Sequence, residues 1–191
     1  MTKSIAILAS GAGSLASAII NAVRDGELEV NIVGIICDQP SAPVVDVANK
    51  AGIKIYLVPM QSDRAQWDDE ILSVTERLVP DLVVSAGFMR ILSPAYVDRF
   101  KVINTHPALL PNFPGAHAVR DALAADVKRT GATVHWVDAG VDTGKVISQC
   151  EVDVLPNDTE NSLHERIKMS ERTLIVETIS QLVPLLEKNH E

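Results

Sequence analysis

Apolar residues fall in short runs along the first half of the chain, and each run is nearly continuous. Residues 4–9, 31–37, 53–58 and 82–85 are rich in β-branched side chains, the pattern of strands buried on both faces of a parallel sheet. Between them, residues 15–24, 44–51 and 64–78 have the length and periodicity of helices. Gly26, Gly52 and Pro80 stand at the helix ends, where a left-handed residue or a missing N–H stops propagation. Strand alternating with helix predicts an α/β fold, doubly wound around a mostly parallel sheet and Rossmann-like in plan.

The second half is less regular. Residues 101–104 read as a strand that runs into a proline-rich loop, 106–115, followed by a helix over 117–125. Residues 133–137 and 146–154 read as two strands joined by the turn-rich segment 138–144. A long closing helix is expected over about 160–186, its apolar face built from Leu163, Ile167, Leu174, Ile175, Ile179 and Leu182.

Composition narrows the classes of function. The 191 residues are 47% hydrophobic and 22% charged, without repeats or linkers, so a single domain spanning 1–191 with a sizeable core is expected. The net charge of -8 speaks against a nucleic-acid partner, which needs clustered cations to displace counterions. No apolar run approaches the roughly 20 residues of a membrane span, so no membrane partner is expected. Cys37 and Cys150 lie far apart, with neither a zinc spacing nor a disulfide framework. Two buried thiols in a reducing, cytoplasmic setting is the expectation, and a homodimer is compatible with it.

In an open α/β sheet, ligands sit beyond the carboxyl ends of the strands. Residues 10–14, 87–90 and 104–106 occupy such positions. The turn Ser10-Gly11-Ala12-Gly13-Ser14 links a strand to a helix, so free N–H groups and the positive helix end can face an anion. With Ala16 it also reads G-x-G-x-x-A, and Asp38 stands where a dinucleotide site would place its acidic residue. Asp38 is followed at once by Gln39-Pro40, and no hydride-transfer group suggests itself, so a phosphate monoester is the preferred ligand.

Asn104 and His106 are two residues apart at a strand end, which turns both side chains to one face. A carboxamide and an imidazolium are what acyl transfer needs around a developing oxyanion, and histidine can also move protons near neutrality. Pro107, Pro111 and Pro114 stiffen the loop that follows. Asp142 sits in the turn Asp138-Ala139-Gly140-Val141-Asp142-Thr143-Gly144; placed near His106, its carboxylate would favour the charged imidazole. His117, His135, His164 and His190 read as ordinary structural histidines, although His135 could line the same side of the sheet. No metal site is read from them, because ligand spacing is lacking.

The stretch from Asn104 through His106-Pro107 to Pro111-Asn112-Phe113-Pro114-Gly115 closely resembles the hallmark of the folate-dependent formyltransferases. Ala86-Gly87-Phe88-Met89-Arg90-Ile91-Leu92, the 10–14 turn and Asp142-Thr143-Gly144 match in the same order. The resemblance implies catalysis by Asn104, His106 and Asp142, with 10-formyltetrahydrofolate as formyl donor and no metal. It implies that Gly11, Ala12, Gly13, Ser14 and Leu15 hold a ribonucleotide phosphate and that Glu171 contacts the ribonucleotide. Arg64, Met89, Arg90, Ile91, Leu92 and Asn104 would line the folate pocket with Asp138, Ala139, Gly140, Val141 and Asp142.

Within that family, the one-domain length points to a purine-biosynthetic member that formylates the amine of 5'-phosphoribosylglycinamide. Hydrolysis of the formyl folate, transfer to another amine, and a non-catalytic nucleotide-binding module are the alternatives. Ala12 and Leu15 replace the asparagines frequent in the family, and Lys145 replaces a proline. Phosphate binding through backbone N–H groups is indifferent to the first two changes.

Overall fold

The computed structural model describes residues 2–186, so His190 lies outside the described residues. Seven strands form one sheet in the order β3-β2-β1-β4-β5-β6-β7. These are β1 (Lys3–Ala9), β2 (Val30–Cys37), β3 (Ile55–Leu57), β4 (Leu82–Ser85), β5 (Val102–His106), β6 (Arg129–Trp136) and β7 (Val146–Asp153). The first five run parallel; β6 pairs antiparallel with β5, and β7 antiparallel with β6. The helices are α1 (Ser14–Arg24), α2 (Val44–Lys50), α3 (Arg64–Leu78), α4 (Pro94–Arg99), α5 (Ala118–Ala124) and α6 (Glu160–Leu182).

Period-2 alternation divides the central strands between two cores. Ile5, Ile7 and Ala9 of β1 face the core beneath α1, α2, α5 and α6. Leu8 turns the other way, joining Trp67, Ile71, Tyr96 and Phe100 of the α3 and α4 layer. Because both faces are covered, the strands carry apolar residues at successive positions, as the sequence pattern implied. Burying one such isoleucine contributes roughly 2–3 kcal/mol. The Trp67 indole N–H donates to the Val58 carbonyl at 2.9 Å, so the largest side chain of the second core leaves no donor unpaired.

Local chemistry explains the helix limits. Asp63 caps α3, accepting from the N–H groups of Ala65 and Gln66, and Thr159 and Ser162 form a reciprocal capping box at the start of α6. The closing helix is shorter than its pattern predicts. Pro184 lacks the N–H an α-helix needs, and α6 passes at Leu182 into a 3-10 turn over Val183–Leu185. Two features differ further from the sequence reading: α4 forms behind Ser93, whose hydroxyl accepts from the Tyr96 N–H, and β6 starts four residues earlier than expected, at Arg129. Its initial residues pair with β7, Arg129 opposite Asp153, a long-range partner that local propensity does not reveal.

The strand order reverses between β1 and β4, whose crossovers lie on opposite faces of the sheet. That reversal opens a crevice at the carboxyl ends of β1, β4 and β5, and the residues singled out above gather around it.

Candidate active site

The glycine turn leaves β1 and enters α1 directly. Gly13 has a φ of 76°, and a Cβ there would lie 2.7 Å from Val44 Cγ2, so both the left-handed backbone and the close approach of α2 demand glycine. The Val44 N–H donates to the Gly11 carbonyl at 3.2 Å, tying the turn to α2. No side chain caps α1, which leaves its first-turn N–H groups directed at an incoming anion. Gly11 and Ala12 are exposed there, whereas the Leu15 side chain is buried in the core. Leu15 can therefore offer a ligand only its backbone. Asp38 is buried; its Oδ2 is ion-paired with Arg90 Nε at 2.6 Å, and its Oδ1 is buried without a hydrogen-bond partner among the described residues.

Around β5 the structure brings the polar residues into one connected group. Asn104 and His106 share a face of the strand without bonding each other, and His135 of β6 stands opposite Asn104 in the antiparallel register. His106 is buried; its Nδ1 lies 3.2 Å from Asp142 Oδ2, and its Nε2 meets the Phe113 carbonyl at 2.8 Å. A carbonyl only accepts, so Nε2 carries a proton, and Nδ1 faces the Asp142 carboxylate. The 106–115 loop thus returns to hold the imidazole it follows.

Asp142 reaches the site from a turn that doubles back. Its own φ is 54°, and a Cβ at Gly144 would lie 1.7 Å from the Trp136 carbonyl, so this tight return requires glycine. Oδ2 accepts from the Gly115 N–H at 2.8 Å, and Oδ1 lies 3.5 Å from His135 Nε2. Burial alone would raise the Asp142 pKa; the His135 contact, the Gly115 N–H and the charges of His106 and His135 together outweigh it and hold the carboxyl below its ordinary range. Asp138 is likewise held low, chiefly by the Thr143 hydroxyl that donates to it at 2.7 Å. The carboxylate is the resting form of both.

His135, read from the sequence as a structural histidine that could line the same side of the sheet, joins the group. Its Nδ1 meets the Trp136 carbonyl at 2.8 Å and so bears a proton, and its Nε2 lies 3.3 Å from Asn104 Nδ2 and 3.5 Å from Asp142 Oδ1. Through this ring Asn104 communicates with Asp142. The available signal was β6 itself, because pairing it antiparallel to β5 sets His135 beside Asn104. A second cluster supports the proline loop: Thr133, fully buried, donates to the Ala108 carbonyl at 2.6 Å and accepts from the Leu110 and Gln149 N–H groups at 3.1 and 2.9 Å.

The residues expected at the folate pocket lie along the other rim. Met89 and Ile91 are exposed, as is Val141 of the 138–144 turn. Arg64 opens α3, pairs with Asp68 at 2.9 Å and donates to the Ile91 carbonyl. The Arg90 side chain belongs to Asp38 and that of Leu92 to the core, so these two can present backbone groups. Ala139 and Gly140 are exposed at the tip of the 138–144 turn. Glu171 lies buried on α6, close enough to Cys150 of β7 for its charge to act on that thiol. Burial pushes its pKa up to about 7, against the lowering influence of Lys168 and Arg172.

A glycine turn for an anion, an imidazole flanked by a carboxylate, and a carboxamide at the switch point of a doubly wound sheet are the parts of a group-transfer site acting on a carbonyl. Residues 3–179 match the formyl transferase family, and the chain belongs to it. A phosphoribosylglycinamide formyltransferase of Mycobacterium tuberculosis is 46% identical over 182 residues, which cover 93% of this chain and 84% of that protein. The crystal structure of glycinamide ribonucleotide transformylase 1 from Symbiobacterium toebii superposes with a TM-score of 0.93 at 34% identity, covering 96% of this chain and 88% of the other. The trifunctional purine biosynthetic protein adenosine-3 of Drosophila melanogaster is 38% identical over 187 residues, 95% of this chain but 14% of that protein.

Among the described residues no group of three or more His, Cys, Asp or Glu side chains is arranged to hold a metal ion. No helix there is long and apolar enough to cross a membrane.

Proposed function

We infer that this chain transfers the formyl group of 10-formyltetrahydrofolate to the amine of 5'-phosphoribosylglycinamide, a step of de novo purine biosynthesis. The observation that carries the chemistry is the convergence of Asp142 on His106, 3.2 Å apart, beside Asn104 and across the crevice from an uncapped glycine turn. The family and its phosphoribosylglycinamide-formylating relatives support the choice of substrates. Two unpaired cysteines and soluble substrates agree with a cytoplasmic location.

In this reading the first-turn N–H groups of α1 bind the ribonucleotide phosphate, and the formyl donor enters between the 87–92 and 138–144 loops. The substrate amine attacks the formyl carbon. Negative charge builds on the formyl oxygen, where an Asn104 N–H and the charged His106 stabilise it. Asp142 keeps His106 oriented and protonated, and the proton lost by the attacking nitrogen passes, directly or through water, to the departing folate nitrogen as its bond to the formyl carbon breaks. No covalent enzyme intermediate is needed.

The test is a spectrophotometric assay of 10-formyl folate consumption with and without glycinamide ribonucleotide. Consumption that depends on the acceptor, with formylated product, is expected. Release of formate without it would make the chain a hydrolase, and failure to use this acceptor would leave only the family.

A further inference from the structure

Ser85 closes the apolar run of β4 with a hydroxyl, buried at 5% exposure where three preceding residues are aliphatic. The parallel register sets it beside Asn104, and its Oγ donates to Asn104 Oδ1 at 2.8 Å. Asn104 in turn stands opposite His135. Three side chains on three adjacent strands therefore form a row at the sheet's carboxyl edge. The Trp136 carbonyl accepts from His135 Nδ1; His135 Nε2 lies 3.3 Å from Asn104 Nδ2; Asn104 Oδ1 accepts from Ser85.

A terminal carboxamide is free to turn over, because its last torsion has two nearly equivalent settings. Turned over here, it would withdraw Oδ1 from the Ser85 hydroxyl that donates to it. The Ser85 hydroxyl holds the amide opposite His135, and the second amide N–H is the one left for a ligand. We propose that Ser85 is a positioning residue for the formyl-transfer reaction: it fixes the Asn104 carboxamide so that its free N–H is aimed at the developing oxyanion. Ser85 does not touch the substrate. The inference rests on the reading of Asn104 as an oxyanion donor, and it assigns this chain a determinant outside the Asn104, His106 and Asp142 group.

Ser85→Ala removes one oxygen and leaves strand and packing in place. Loss of one buried neutral hydrogen bond corresponds to a fall in kcat of about tenfold, with KM for both substrates changed by less than about twofold. Ser85→Thr, which keeps the hydroxyl, restores most of the rate. In an Asn104→Ala background, Ser85→Ala has no further effect on kcat, because the residue it acts through is gone. Equal losses in the two backgrounds, or wild-type kcat in Ser85→Ala, overturn the proposal. The side-chain amide signal of Asn104 in a 15N–1H spectrum reads the same clamp without any turnover. It shifts toward solvent-exposed amides in Ser85→Ala, and an unmoved signal overturns the proposal even where the wild-type chain proves to use a different acceptor.

Discussion

Replacing Glu171 with Gln deletes a carboxyl that the fold holds in its acid form. Glu171 is 6% exposed, and burial lifts its pKa from 4.5 to about 7. In the unfolded chain the group titrates near 4.5. Below that pH both states are protonated and the group is neutral to stability; between 4.5 and 7 the native state retains a proton the unfolded chain has lost, so stability falls as pH rises; above 7 the loss is complete. At about 1.4 kcal/mol per unit, the full loss is about 3 kcal/mol. Urea denaturation of wild type and Glu171→Gln at intervals from pH 5 to 8.5 separates this from everything else that titrates. A buried glutamine amide carries its own desolvation cost, constant with pH, so the difference between the curves is read by its slope and not by its offset. The variant should gain about 3 kcal/mol on wild type across that interval. Curves that stay parallel would show that Glu171 ionises normally in the folded protein.

Asp142→Asn should lower kcat by about a hundredfold or more while KM moves only a few-fold, because it removes a charge that acts on the transition state through His106; kinetics against pH check it. In the wild type, the stability Asp142 contributes is present above the ordinary carboxylate pKa and disappears as pH falls through its depressed native value, a loss that acid denaturation of the Asn variant should lack. Gly13→Ala forces a Cβ to within 2.7 Å of Val44 at a φ of 76°, so a destabilisation of about 1–3 kcal/mol is expected with weakened ribonucleotide binding, measured by denaturation and by KM. Thr133→Val keeps the shape but strands the Leu110 N–H and the Ala108 carbonyl in a buried site. About 2–4 kcal/mol of stability should go with it, and a Tm within a degree of wild type would contradict the role assigned to that cluster.

The parallel half of the molecule was legible because its pattern is local. Residues 82–85 and 64–78 are predicted and observed with the same limits, since an unbroken apolar run and a capped amphipathic helix each declare themselves within a few residues. The antiparallel half depends on pairings that no window contains. Arg129 and Thr130 become strand only because Asp153 and Val152 lie opposite them. The site divides in the same way. Asn104 and His106 share a face by period-2 spacing, and the glycine turn follows from its neighbours. His135 needed a register across 31 residues, and the ion pair of Arg90 with Asp38 joins two strand ends 52 residues apart. Leu15 and Leu92 showed the opposite limit: motif position marked them for ligands, whereas the apolar faces they complete claim their side chains.

The two rims of the crevice are bonded to each other as well as to their strands. The Ser10 N–H donates to the Gly87 carbonyl at 3.2 Å, and the Met89 N–H to the Ser10 hydroxyl at 2.9 Å. Arg90 is anchored on Asp38 and Arg64 on the Ile91 carbonyl. The turn proposed for the phosphate and the loop proposed for the formyl donor therefore move as one body, with β1 and β4 as its base. Direct transfer requires both substrates bound at once with nucleophile and formyl carbon about 3–3.5 Å apart, and a shared framework fixes that separation before either ligand arrives. Asp142 is mounted differently. Its turn is exposed from Asp138 to Val141 and is held to the site by the Gly115 N–H and the two imidazoles. The acceptor's nitrogen and the formyl carbon are thus set by the rigid rims, whereas the charge that activates His106 arrives on the segment with the fewest anchors. A loop opening to admit the folate would cost the Asp142 contacts and leave the Ser85, Asn104 and His135 row in place, because that row is held by sheet register and by its own hydrogen bonds.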